Sequence, residues 1–419
     1  MSIHSHRTRP TDPPKPIVIS SQNSCGTAAP VVDYRLRRFA SRIGGLDLAR
    51  AVAVLGMFTQ HFYRFPTLGL RLEDPSSWPA LVNNNSTVLF AVLAGASKSL
   101  IDGGRHPRSG PAQLQARMSI VARAIMLFAI SGILITLVPT PGSVLGYIAA
   151  GFIISLPFLR MPGHRLLVLA AVGVVVVPYP VHILREIVYA NTDEVARDSS
   201  LNLLVTGLCP ALIFLPLFLL GIALGRMDLR DRTTQFRIGG YGFIITTLTF
   251  AISTTLTNQF GTITATSFSS NGSFRMPDWK IEYFLASPHL NGVLQMTEGV
   301  GISLVVIGVC LFLTSIDPIA TLTYPLRALG MCAFTAYVAQ FAAVAIVIDK
   351  NNYEVPDGFL IILSFVLIVF SSIAIALFGR GPLESAMTEW ARWMSRIRLT
   401  PASATPPPAP TVLLTDPRP

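Results

Sequence analysis

Charge is what this chain has least of. Asp, Glu, Lys and Arg make up 13% of its 419 residues, against 51% hydrophobic ones, whereas soluble domains carry roughly 25% charged residues. A water-soluble fold of this length needs those charges to cover its surface; a bilayer-embedded one does not. Acidic residues are the scarcer sign, 22 against 32 Lys and Arg, which leaves a net charge of +10. In a soluble protein that excess suggests nucleic acid, but no aromatic-basic platform and no zinc-ligand spacing accompany it. It reads instead as the topology signal of a membrane protein, whose cytoplasmic loops collect Lys and Arg. The expected surroundings are membrane lipids, with no nucleic-acid partner.

Cysteine is also sparse. Of four residues, Cys25 lies in the N-terminal tail and Cys209, Cys310 and Cys332 fall in apolar stretches. No CxxC pair exists, so neither a zinc site nor a disulfide framework is expected; small core fillers are. Residues 1–34, rich in Pro, Ser and Thr, lack the apolar segment of a cleavable signal peptide. The tail 1–41 is expected to be disordered, and the first span to serve as an uncleaved anchor.

What is present is apolar length. Stretches at 46–65, 81–101, 118–138, 142–159, 166–184, 201–224, 238–257, 297–316, 323–348 and 358–378 approach the ~20 residues that a helix needs to cross a bilayer. The fourth is short, and Pro178 and Pro180 interrupt the fifth. With the N-terminus inside, alternation gives the inner segments most of the basic residues, including Arg35, Arg42, Lys98, Arg105, Arg117, Arg160, Arg226, Arg237, Arg380 and Arg392. The outer segments receive Arg64, Arg71, Arg185, Arg197, Arg275, Lys280 and Lys350, a bias that places both termini in the cytoplasm. The expected fold is therefore all-α, a polytopic transmembrane helix bundle of about ten spans.

Three flanking features complete the organisation. The outer segment 258–289, polar and carrying Phe274 and Trp279, is long enough to be a lid or a tether. Leu383, Met387, Trp390, Met394 and Ile397 repeat at helical spacing among Arg392, Arg396 and Arg398, the pattern of a helix at 381–400 lying in the inner headgroup layer. Residues 401–419 form a Pro-rich tail expected to be unstructured, leaving 42–380 as the transmembrane domain.

An ionisable residue inside a span is a functional candidate by default, because lipid makes it expensive. The first span holds Asp47 and Arg50 near its cytoplasmic start and Gln60 and His61 near its outer end. Arg50 and His61, eleven residues apart, differ by only ~20° around the helix and by roughly 16 Å along it. A cation low and an imidazole high on one face suit a substrate that is anionic at one end and reactive at the other. The plainer alternative has Arg50 snorkelling to the inner headgroups and His61 resting at the outer interface. Asn83, Asn84 and Asn85 form a polar run at the outer end of the second span, and His289 and Glu298 open the eighth at the same level. Arg123, in the third span, is a further cation for an anionic ligand. The Gly, Ala and Ser residues of 89–97 are expected to serve close helix packing.

These residues carry a resemblance. Residues 42–57, RIGGLDLARAVAVLGM, look like the opening of a family of bacterial membrane proteins with an uncharacterised domain related to the heparan-alpha-glucosaminide N-acetyltransferases. Residues 89–97 resemble its second-span signature; Pro288-His289, the run 325–337 (PLRALGMCAFTAY) and the closing GPLE at 381–384 resemble later elements. The Arg50-to-His61 spacing is also similar to that of the family-three membrane acyltransferases, which O-acylate envelope sugars. Ala51 stands where Gly is usual in these families, and Asn83-Asn84-Asn85 where Gly-Arg is usual.

The resemblance implies an integral membrane acyltransferase moving an acyl or acetyl group from cytoplasmic acyl-CoA or acetyl-CoA, as co-substrate, to an envelope glycan or glycolipid acceptor, without a metal. His61 would be the catalytic base, Arg50 with Asp47 and Arg123 would receive the donor, and Asn83, Asn85 or Gln60 would steady the oxyanion, with His289 as a further partner. A transporter or flippase of an envelope precursor, and a non-catalytic membrane protein, are the alternatives.

Overall fold

The computed structural model describes residues 42–63, 74–137, 143–191, 201–207, 209–260, 291–351 and 358–396. The chain divides between Arg42 and Ile43, and every element below belongs to the second unit. Among the described residues all regular structure is helical. In chain order the helices are α1 (Gly44–Phe62), α2 (Asn85–Ile101), α3 (Gly110–Leu137), α4 (Leu145–Ile154), α5 (Gly163–Val176), α6 (Pro178–Asn191) and α7 (Ala211–Leu224). There follow α8 (Arg232–Phe260), α9 (Val293–Leu313), α10 (Asp317–Leu322), α11 (Tyr324–Met331), α12 (Ala333–Asn351), α13 (Phe359–Phe378) and α14 (Pro382–Met394).

Among the described residues four helices, α3, α8, α9 and α13, are long and apolar enough to cross a membrane, and the bent pairs α5–α6 and α11–α12 raise the number to as many as six. The sequence holds about ten apolar stretches of near-spanning length, and the difference has physical causes. Helices α1 and α2 carry their polar residues inside the bundle, where Asp47, Asn85 and Lys98 are buried. The apolar helices α4 and α7 are 10 and 14 residues long, which is roughly 15 and 21 Å of rise. The 43° bend between α5 and α6 falls at Pro178, whose ring and missing N–H interrupt a helix at that point.

The 80° break between α11 and α12 divides a stretch that reads as one span. It is stabilised from 50 residues away. The Glu384 carboxylate accepts the backbone N–H of Phe334 at 2.8 Å and of Thr335 at 3.0 Å, and the Thr335 hydroxyl at 2.6 Å. These are donors that the first turn of α12 leaves unpaired, so the GPLE element works as a helix cap supplied in trans. Glu384→Ala should cost on the order of 1–3 kcal/mol, read as a lower melting temperature in detergent; an unchanged melting temperature would show that the cap is dispensable. A local version of the same device opens α8. The Asp231 carboxylate accepts the N–H and hydroxyl of Thr234, each at 2.9 Å, and these bonds hold its carboxyl below the ordinary aspartate range.

Small residues bring the helices together, as membrane packing favours. Gly221 of α7 and Gly225 at its C-terminal cap lie against Val92, Gly95, Ala96 and Ser99 of α2, and Gly239 and Gly242 of α8 against Gly301 and Gly308 of α9. The expectation that 89–97 serves packing is met at Gly95. Cys209, Cys310 and Cys332 are buried.

Two cations assigned to loops by the sequence reading are interior instead. Lys98, fully buried, donates to the Phe152 carbonyl at 2.7 Å and to Ser155 Oγ at 2.6 Å, at the end of α4. Arg185, 2% exposed, donates to the carbonyls of Val205 and Gly207 at the end of a short π-helical turn, Asn202–Thr206. Arg226 holds the carbonyls of Leu159 and Met161 in the same way. Helix C-termini present unpaired carbonyls and negative partial charge, and a long basic side chain reaching back from a neighbouring helix satisfies both.

The amphipathic α14 rests on α3 and α12. Trp390 Nε1 donates to the Ala122 carbonyl at 2.9 Å, and the Trp390 and Trp393 rings stack at 5.3 Å. Ile397 and Arg398 of the expected helix, the two tails and the long segment around Phe274 and Trp279 lie outside the described residues.

Candidate functional site

Helix α1 lies among α2, α9, α11, α12 and α13, so its polar residues meet protein on several sides. At its first turn Gly44 leaves space for the Arg327 guanidinium of α11, which donates to the Ala320 carbonyl at 3.1 Å and lies within electrostatic reach of Asp47. Asp47 is buried and forms an ion pair with Arg50, one turn on. Arg50 donates its other terminal nitrogen to Ser97 Oγ of α2 at 2.8 Å. Two arginines thus flank one carboxylate at this end, a local charge of +1.

At the other end of α1 the half-buried His61 meets Phe341 of α12 edge to face, ring centroids 6.0 Å apart. Gln60, its neighbour, donates to the Val82 carbonyl at 3.1 Å and accepts from the Thr87 hydroxyl at 3.5 Å. These two bonds bracket the Asn83–Asn85 turn. Asn84 adopts a positive φ of 62°, which Asn tolerates better than most residues, and its fully buried amide has no hydrogen-bond partner among the described residues. Asn85 donates to the Leu81 carbonyl at 3.0 Å and packs on Gly299 of α9, beside Glu298. Glu298, half-buried, forms no hydrogen bond or ion pair among the described residues.

A line of rings runs from His61 across α12 to α2. Phe341 lies 5.2 Å from Tyr337, and Tyr337 stacks at 6.4 Å on Phe90 of α2. Tyr337 is pinned in turn, accepting the Val144 N–H at 2.9 Å through its hydroxyl. Phe90 and Ser97, seven residues apart, share a stripe of α2. Arg50 through Ser97 meets α2 and His61 through Phe341 meets α12, and Phe90 and Tyr337 join these two neighbours of α1 to each other.

Of the residues singled out in the sequence, Asp47 with Arg50, and Gln60 with His61, stand at the two ends of α1, and Gln60 bonds on either side of the turn that holds Asn83 and Asn85. Arg123 does not join them: it bonds Ser119 of its own helix at 2.7 Å and faces Arg392 of α14. His289 lies outside the described residues. Ser97, Arg327, Tyr337 and Gln340 were not singled out. Arg327 and Gln340 carried a visible signal, as polar residues in the apolar stretch 323–348; Ser97 and Tyr337 carried none beyond their motifs.

A family model described as heparan-alpha-glucosaminide N-acetyltransferase, catalytic, matches residues 42–258. The match runs from the start of α1 almost to the end of α8 and contains Asp47, Arg50, His61 and the Asn83–Asn85 turn. No curated protein matches the chain.

Proposed function

Because this chain belongs to the heparan-alpha-glucosaminide N-acetyltransferase catalytic family, matched over residues 42–258, we propose that it is a multi-pass acetyltransferase of the cell membrane. It uses cytoplasmic acetyl-CoA or a related acyl-CoA and acts on a hydroxyl or amine of an envelope sugar or glycolipid. What supports the reading is that α1 turns a cation and an imidazole to one stripe, Arg50 bonding Ser97 of α2 and His61 packing on Phe341 of α12.

The roles follow from charge and reach. Arg50, with Arg327 behind Asp47, attracts the phosphates of the donor, for which a guanidinium suits better than an ammonium. The thioester end extends along Phe90 and Tyr337 towards His61. An imidazole, with an unperturbed pKa near 6.5, takes the acceptor's proton as its oxygen or nitrogen attacks the thioester carbonyl. Transfer through an acyl-histidine uses the same residue as nucleophile. In this reading the polar α1 and α2 and the shorter α4 and α7 join the longer helices in about ten crossings, with both termini cytoplasmic and α14 along the inner surface.

The cations bonded to backbone carbonyls favour this reading over a transport path. Lys98, Arg185 and Arg226 are each committed to backbone carbonyls, and a path for a charged cargo needs charges that can exchange partners. The test is cleavage of radiolabelled acetyl-CoA by the purified chain in nanodiscs, with and without an envelope glycolipid extract. Acetylated product supports the reading; no thioester cleavage under either condition overturns it, and cargo accumulation in sealed vesicles would then mark a transporter.

A further inference from the structure

Helix α12 carries a polar side chain that none of the roles above uses. Gln340 is fully buried, and neither its amide nitrogen nor its oxygen has a hydrogen-bond partner among the described residues. Buried polar groups are nearly always paired, and a buried orphan calls for an explanation in function or in a missing ligand. Tyr337, Gln340, Phe341 and Val344 are all buried and, at about 100° per residue, occupy one arc of the helix. Along the axis Gln340 falls between Tyr337, which stacks on Phe90, and Phe341, which meets His61. An uncommitted amide thus stands on the arc of α12 that carries these two rings, one residue from the ring that meets His61.

The other amides near His61 are differently placed. Gln60 and Asn85 spend donors on the carbonyls of Val82 and Leu81. Asn84 has an uncommitted amide, but it lies in the turn before α2, off the line of rings.

We propose that Gln340 donates a hydrogen bond from its amide nitrogen to the carbonyl oxygen of the acyl thioester as that oxygen becomes an oxyanion, a role that rests on the assignment of His61 as base. The acceptor's oxygen or nitrogen forms a bond to the thioester carbon while His61 takes its proton. The carbonyl electron pair moves to the oxygen facing Gln340. Collapse restores the carbonyl and breaks the carbon–sulfur bond, and the leaving thiolate takes the proton back from His61. A donor already fixed where charge develops needs no reorganisation at that moment, which is why such groups are worth more in a dry site than in water.

The assignment explains why the amide is left unpaired, and the test exploits that. Wild type, Gln340→Leu and His61→Ala are compared in nanodiscs for acetyl-CoA cleavage, with melting temperature measured on the same samples. For Gln340→Leu the expected result is a kcat lower by about 10²-fold, a KM for acetyl-CoA within about threefold of wild type, and a melting temperature equal or higher, since an orphan amide has been replaced by an apolar side chain. Wild-type kcat in Gln340→Leu, with His61→Ala inactive, overturns the role of Gln340 and leaves that of His61 standing. A fall in kcat that tracks a fall in melting temperature also overturns it, by showing that Gln340 serves packing. Wild type and His61→Ala equally inactive would remove the acyltransferase reading and this proposal together.

Discussion

His61→Ala should lower acetyl transfer by about 10²–10⁴-fold, the contribution expected of a positioned general base, while leaving the protein folded. The two halves of that expectation have separate grounds. The imidazole stands at the outer end of the stripe of α1 that begins at Arg50, and no other titratable side chain of α1 can replace it at that level. The edge-to-face contact of this half-buried residue with Phe341 is worth about 0.5–1.5 kcal/mol. Activity and melting temperature measured on one preparation separate the two. A variant that transfers at the wild-type rate removes His61 from the mechanism, and one that fails to fold assigns it to structure.

Gly221→Leu should have the largest effect on folding. A Cβ at this position would be driven into the Val92 carbonyl oxygen and would lie 2.8 Å from the Ala96 nitrogen, both backbone atoms of α2. Flexible side chains yield to such an insertion; a helix backbone does not. Overpacking in a close-packed core typically costs about 1–3 kcal/mol, and a rigid obstacle places this substitution at or beyond the upper end. Helices α2 and α7 would have to separate, carrying Ser97 and Phe90 away from Arg50 and Tyr337. The expected readout is loss of the monodisperse peak on size exclusion together with loss of activity. Gly132→Leu, where a Cβ meets no atom within 4 Å, serves as the control and should behave as wild type.

What could be read in the sequence was mostly what period and composition carry. The all-helical class, the polar residues of α1 and the packing role of Gly95 follow from apolar length, 3.6-residue spacing and small residues in a run. The bend at Pro178 follows from proline chemistry. Features set by distant partners were not legible. The break at Cys332 depends on Glu384, 50 residues on in sequence, and nothing local to 323–348 announces a bend. Lys98 and Arg185 count as loop charges by hydropathy, yet each has a carbonyl at a helix or turn end to satisfy, which only the packed fold reveals. Arg123, chosen for its charge, faces Arg392 because α14 folds back on α3. Gln340 was visible as a polar residue in an apolar run, but its orphaned amide became apparent only once its neighbours were in place.

The central claim is that Arg50 and His61 act on opposite ends of one donor. It is tested most directly by the kcat/KM of wild type and Arg50→Ala for acetyl-CoA and for acetyl-pantetheine, which has the same thioester but no nucleotide phosphates. Wild type should prefer acetyl-CoA by at least about tenfold, or 1.4 kcal/mol. Arg50→Ala should lose that preference, with little change towards acetyl-pantetheine, because the group it contacts is absent there. If Arg50→Ala keeps the full preference for acetyl-CoA, the phosphates bind elsewhere and Arg50 and His61 do not share one donor.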